Sequence, residues 1–262
     1  MLKLEGVQKR YGDHQALSGL SIDIPAGIVF GFLGPNGAGK TTTMRIIAGL
    51  IQASRGKVFI DGVNTTEDPI TAKSKVGYIP DRPYLYDRLT GTETMSFVSD
   101  LFGIPKEIAE PRSRELLKRF NIDHVRQNLT ETYSHGMKQR LALAAALLHA
   151  PKLLLVDEPM VGLDPKGAKL VKSVMREEAE AGNTVFLSTH SLAVAEEVCD
   201  QIGILRLGKL IALGTKEELQ EKAGLDANLE EIFLKITAQE DPQIRASLMP
   251  ETPNPAKPGE PS

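Results

Sequence analysis

Gly34-Pro35-Asn36-Gly37-Ala38-Gly39-Lys40-Thr41 is the stretch on which the fold turns. An apolar run, Ile28–Leu33, precedes it and stops at glycine, as a buried strand does. The residues after Lys40, TTTMRIIAGL, predict a helix ending near Gly49. Strand, glycine-rich loop and helix in that order form a cradle for phosphate. Small residues let backbone N–H groups turn inward around phosphate oxygens, and the helix N-terminus adds positive potential. Lys40 is long enough to reach β- and γ-phosphates, and the Thr41 hydroxyl suits Mg²⁺. Gly34 to Thr41, with Thr42, are therefore the candidate nucleotide-binding residues.

Further along, Leu153-Leu154-Leu155-Val156 ends in Asp157-Glu158. Strand ends in parallel sheets open onto the ligand crevice. Asp157 is placed to hold Mg²⁺ through water, and Glu158 to orient or deprotonate an attacking water. Paired acids are also common at solvated strand ends, but beside a phosphate loop nucleotide hydrolysis is the sharper reading.

Around these two stretches the pattern alternates. Leu2–Ile24 reads as short strands, and Lys57–Asp61, Lys75–Pro80 and Thr184–Ser188 as further strands. Ile202–Leu213 reads as a hairpin turning at Leu207-Gly208-Lys209. From about 90 to 150 the character is helical: Met95, Val98, Leu101 and Phe102 form a stripe, and Arg114–Phe120 and Met137–His149 predict helices. A helix is expected from Val161 onward, with Asp164 as N-cap and Pro165 in its first turn. The fold class is α/β, with a parallel sheet, an N-terminal antiparallel portion and an inserted helical subdomain. We expect one domain over 1–238 and a Pro-rich, disordered tail over 239–262.

Composition narrows the function. With 31 Lys+Arg against 34 Asp+Glu, the net charge of −3 gives no general attraction to nucleic acid or anionic lipid. The single cysteine, Cys199, excludes an internal disulfide and suits a reducing cytosol. The longest uninterrupted apolar run, Leu141–Leu148, is far below the ~20 residues of a membrane span. No direct membrane insertion is expected.

Between the two sites lies Tyr133-Ser134-His135-Gly136-Met137-Lys138-Gln139-Arg140. With Asp164 after Glu158 and Ser188-Thr189-His190 ending the next strand, the set resembles the ATP-binding cassette (ABC) ATPases over residues 2–236. The resemblance implies a P-loop NTPase core that binds ATP and Mg²⁺. It implies that Tyr11 stacks on adenine, that His190 contacts the γ-phosphate and that Asp164 communicates across a dimer. Two cassettes, identical or different, would pair head to tail, with Ser134 and Gly136 completing the partner's ATP site. A permease subunit on another chain would span the membrane, holding this cytoplasmic chain peripherally at its inner face.

Two positions depart from the family pattern. Asp81 stands where the family places Gln near Mg²⁺ and the attacking water. It either faces the metal or faces Arg82 and solvent. His135 replaces a glycine of the family's Leu-Ser-Gly-Gly-Gln. It either makes hydrolysis pH-sensitive or points elsewhere, and the second reading is favoured.

Arg82-Pro83-Tyr84-Leu85-Tyr86 has the composition of an interface anchor, where the resembled family receives a short helix of the membrane-spanning subunit. All five tyrosines, Tyr11, Tyr78, Tyr84, Tyr86 and Tyr133, stand at or beside a motif assigned to nucleotide, coupling or dimer contacts. The expected function is MgATP hydrolysis powering an export-type transporter. The alternatives are a soluble ABC ATPase in assembly or regulation, and a nucleotide-gated module that hydrolyses poorly.

Overall fold

The computed structural model describes residues 1–224 and 227–239; of the tail expected over 239–262 only Gln239 is described, as the last residue of a helix, and the rest lies outside the described residues. The N-terminal hairpin is longer than the short strands expected. β1 (Leu2–Tyr11) pairs antiparallel with β2 (His14–Ile24), Leu2 opposite Ile24 and Leu4 opposite Ile22. Leu2, Leu4, Leu20, Ile22 and Ile24 all point inward, the alternation that one buried face demands. After β3 (Val29–Leu33) and α1 (Lys40–Ile47), β4 (Arg55–Ile60) joins the other edge of β1, and β5 (Val63–Asn64) completes this four-stranded sheet.

Next come α2 (Pro69–Ser74) and β6 (Val76–Ile79). Then follow three helices, α3 (Gly91–Leu101), α4 (Lys106–Arg119) and α5 (His135–Leu147). The chain returns to the sheet as β7 (Leu153–Asp157), α6 (Pro165–Glu180), β8 (Thr184–Thr189), α7 (Leu192–Val198) and β9 (Gln201–Arg206). It closes with β10 (Lys209–Gly214), α8 (Lys216–Ala223) and α9 (Leu229–Gln239). The second sheet has the order β10-β9-β3-β8-β7-β6, all parallel except β10.

Every residue of β3, β7 and β8 is buried, which explains the apolar runs Val29–Leu33 and Leu153–Val156, while β8 buries Thr184, Ser188 and Thr189 along with its apolar centre. Their alternate side chains feed different cores. Phe30, Phe32, Leu153, Leu155 and Phe186 pack toward the antiparallel sheet and α1. The rings of Phe30 and Phe32 lie 5.3 and 5.2 Å from Phe186, so truncating one to Ala would cost about 3–5 kcal/mol. Val29, Leu154, Val156, Val185 and Leu187 pack on the opposite face with Leu141, Val174, Met175 and the helical residues Met95, Leu117 and Phe120.

Two expectations need correction. The helix placed from Val161 onward begins at Pro165, because Asp164 caps it by accepting the Gly167 N–H at 2.8 Å. Leu101, part of the predicted α3 stripe, is exposed at the helix's last residue. Tyr133, beside the resembled motif, is nonetheless a core residue: it is buried and donates its hydroxyl to the Val125 carbonyl at 2.7 Å. No described helix is long and apolar enough to cross a membrane.

Candidate active site

The loop between β3 and α1 needs its glycines. A Cβ on Gly34 would stand 2.3 Å from the Leu205 carbonyl oxygen, and one on Gly39 2.8 Å from that of Ala16. Gly39 also has φ 110°, a left-handed conformation open to glycine. No side chain caps α1 and its first turn carries no acid, so its leading N–H groups face the loop uncommitted. That is the local arrangement an anion requires.

Lys40 folds back over the loop and donates to the Gly34 and Pro35 carbonyls at 2.6 and 3.3 Å. It is only 7% exposed. Burial holds its ammonium below the usual lysine range, against the pull of the Glu158 and Asp157 carboxylates. Thr43 locks the following turn by donating both N–H and Oγ1 to the Gly39 carbonyl.

A cleft of ≈340 Å³ runs along this loop. Pro35, Asn36, Gly37, Gly39, Lys40, Thr41 and Thr42 line it. So do Tyr11 from the N-terminal hairpin and Asp81, Asp157 and Glu158 from the parallel strand ends. Gly34 and Ala38 lie beneath the lining, Ala38 fully buried. Tyr11 is no core residue: it is 47% exposed, with the Lys9 ammonium 5.0 Å above its ring centroid. Asp81 is exposed and opens on the cleft, where its charge pushes the Asp157 carboxyl upward. Sequence reasoning missed His14 and Ala16, which also line it; nothing in their residue types marks them.

Asp157 is buried, and that burial is the main force raising its carboxyl above the usual range. The hydroxyls of Ser188 and Thr41 act in the opposite direction. Ser188 Oγ is itself buried without a hydrogen bond of normal geometry. An oxygen-rich, under-satisfied pocket of this kind suits a hard cation. Among the described residues no three His, Cys, Asp or Glu side chains form a metal cage.

Glu158 follows in a left-handed turn, φ 48°, which costs a non-glycine residue about 1–2 kcal/mol. Its N–H donates to the Ser188 carbonyl at 2.9 Å, tying the turn to the end of β8. Oε1 lies 2.8 Å from His190 Nδ1, and Oε2 accepts from Thr189 Oγ1 at 3.2 Å. Thr189 had no role assigned from sequence; its place beside His190 at the strand end was the available signal.

Ser134 and Gly136 are not brought to this cleft. They open α5, where Ser134 Oγ accepts the Met137 N–H at 3.3 Å. His135 is exposed, lies with its ring edge against Gly162 and does not line this cleft.

Residues 17–161 match the model of the ABC transporter family. The linearmycin resistance ATP-binding protein LnrL of Bacillus subtilis (strain 168) is 37% identical over 226 residues, 86% of this chain and 73% of its own length. A solved ATP-binding subunit of an ABC transporter superposes with a TM-score of 0.86 at 32% identity, covering 90% of this chain and 99% of that one. The ATP-binding cassette MJ0796, solved as a dimer in a post-hydrolysis state bound to ADP and Pi, superposes with a TM-score of 0.72 at 28% identity. It covers 82% of this chain and 98% of its own. A strand-loop-helix phosphate cradle facing a glutamate held by histidine is thus found in a chain that belongs to the ABC transporter family, as an ATP-binding subunit that hydrolyses ATP.

Proposed function

We propose that this chain pairs head to tail with a second cassette and, seated on a separate membrane-spanning subunit at the inner face of the cell membrane, uses MgATP hydrolysis to drive export. The export direction is supported by the resistance protein LnrL, 37% identical to this chain. The observation that carries hydrolysis is the contact of His190 with Glu158, a residue that lines the phosphate cleft.

In this reading Tyr11 stacks on the adenine face. The loop N–H groups and Lys40 hold the phosphates, Lys40 exchanging the Gly34 and Pro35 carbonyls for phosphate oxygens. Thr41 and Asp157 would hold Mg²⁺, and Asp81, which lines the same cleft, would be a further oxygen ligand for it. When bound, that ion neutralises charge on the β- and γ-phosphates. Glu158 orients the attacking water and accepts its proton, while His190 and Thr189 fix both carboxylate oxygens. Ser134 and Gly136 of each cassette close the other's site.

The seat for the membrane-spanning subunit is a groove of ≈390 Å³ between β6 and α3. Its rim is a chain of edge-to-face rings, Tyr84 on Tyr86 at 6.0 Å and Tyr86 on Phe97 at 5.4 Å. Tyr84 is 84% exposed, an unusual position for a ring unless something covers it. Co-purification tests this: the chain should bring down its membrane-spanning subunit, and Tyr84→Ala with Phe97→Ala should abolish that while leaving ATP binding intact. Undiminished capture by the double variant would refute the seat.

A further inference from the structure

The loop joining Glu158 to α6 is pinned at both ends. At one end Glu158 N–H is held by Ser188, and at the other Asp164 caps the helix. Between them the chain makes two successive turns, Val161 N–H to the Glu158 carbonyl and Leu163 N–H to the Met160 carbonyl, each 3.3 Å. These are long bonds, and Val161 and Gly162 are exposed, so the middle of the loop has little support of its own.

What supports it is the first turn of α5. At Gly162, φ 77°, a Cβ would stand 2.3 Å from His135 Cδ2 and 2.9 Å from Nε2. The imidazole edge therefore fills space that a glycine alone leaves open. The neighbouring Gly136 stands beside the same loop, with the Gly162 carbonyl oxygen and Leu163 Cδ2 at 3.6 and 3.7 Å from where its Cβ would be. A glycine at 135 would remove the larger part of this contact.

We propose that His135 is a positioning residue: its ring braces the loop after Glu158, so that the α5 end bearing Ser134 and Gly136 and the chain's own Glu158 move as one unit. The inference rests on the reading of Glu158 as the group that orients water. It gives the departure at 135 a steric purpose. A cassette whose α5 tip is engaged by the partner's nucleotide would have its own carboxylate held in register through two packed groups, with no titration involved.

Amide hydrogen exchange of the full-length chain, without nucleotide, reads the brace directly. His135→Gly should speed exchange across residues 159–163 about threefold or more. It should also lower kcat about tenfold with KM for MgATP within about twofold. His135→Phe, which keeps a flat ring and removes the titratable nitrogens, should restore both the protection and kcat toward the parent values. Unchanged exchange in His135→Gly, or no recovery in His135→Phe, would overturn the proposal. Failure of the Glu158 reading would look different: Glu158→Gln would keep full turnover while the exchange difference at 159–163 persisted.

Discussion

His190 Nδ1 lies 2.8 Å from Glu158 Oε1, and this contact joins the ends of two neighbouring parallel strands. Because β7 and β8 are hydrogen-bonded in register from Leu153–Thr184 to Asp157–Ser188, the two side chains are delivered to one point by the sheet itself. His190 is exposed at this point, whereas Glu158 is largely covered. The pair is therefore rigid on the carboxylate side and open on the imidazole side, where a γ-phosphate would approach.

Removing the imidazole should cost rate rather than affinity. His190→Ala leaves Thr189 as the remaining hydrogen-bond donor to the Glu158 carboxylate, and we expect kcat to fall about 10²-fold with ATP affinity changed by less than about threefold. Steady-state kinetics with a nucleotide-binding titration would check it. An equal loss of binding would make His190 a nucleotide-holding residue instead.

Asp157 is a buried carboxylate that, in the proposed function, would face a cation. In the metal-free chain that buried charge is a stability cost. Asp157→Asn should raise the melting midpoint without nucleotide, by about 0.5–2 kcal/mol in stability, while reducing MgATP turnover at least about tenfold. Differential scanning calorimetry with and without Mg²⁺ tests it. A lower midpoint in the metal-free variant would show that the carboxylate is structurally required.

His149 gives the fold an acid sensitivity away from the site. Its ring stacks on Phe102 at 3.8 Å and its Nε2 contacts the Val76 carbonyl at 3.0 Å. Burial, as the largest cause, holds the imidazole below the usual histidine range, with Arg112 acting the same way. As pH falls below about 6.5 the unfolded chain takes up a proton that the folded chain refuses, so stability drops by at most about 1.4 kcal/mol per pH unit from this group. Urea unfolding of parent and His149→Phe between pH 7 and 5 should show a flatter slope in the variant. Parallel slopes would remove His149 as the cause.

Much of this site was legible because its chemistry demands particular residues at fixed spacing. The phosphate loop needs glycines where Leu205 and Ala16 crowd it, and the acids must stand at a strand end. Elements without such demands were harder to place. The helix expected over Arg114–Phe120 is α4, which starts eight residues earlier and runs through Pro111. Pro111 is exposed, so water can meet the Glu107 carbonyl that its missing N–H leaves free, and the apparent breaker is tolerated. α2 and α8 were missed although both carry start signals: Asp68 before Pro69, and the Thr215–Glu218 capping box. Tyr133 misled for another reason. It adjoins the residues that carry the family resemblance, but its hydroxyl satisfies the part-buried Val125 carbonyl eight residues earlier, a contact across irregular chain that no helix or strand period records.

The central claim is that Glu158 drives hydrolysis from a turn built to aim it. Turnover of MgATP by Glu158→Gln measures this most directly, since the amide keeps the shape and removes the base. We predict a loss in kcat of at least about 10²-fold with ATP still bound. Turnover within about twofold of the parent chain would contradict the account.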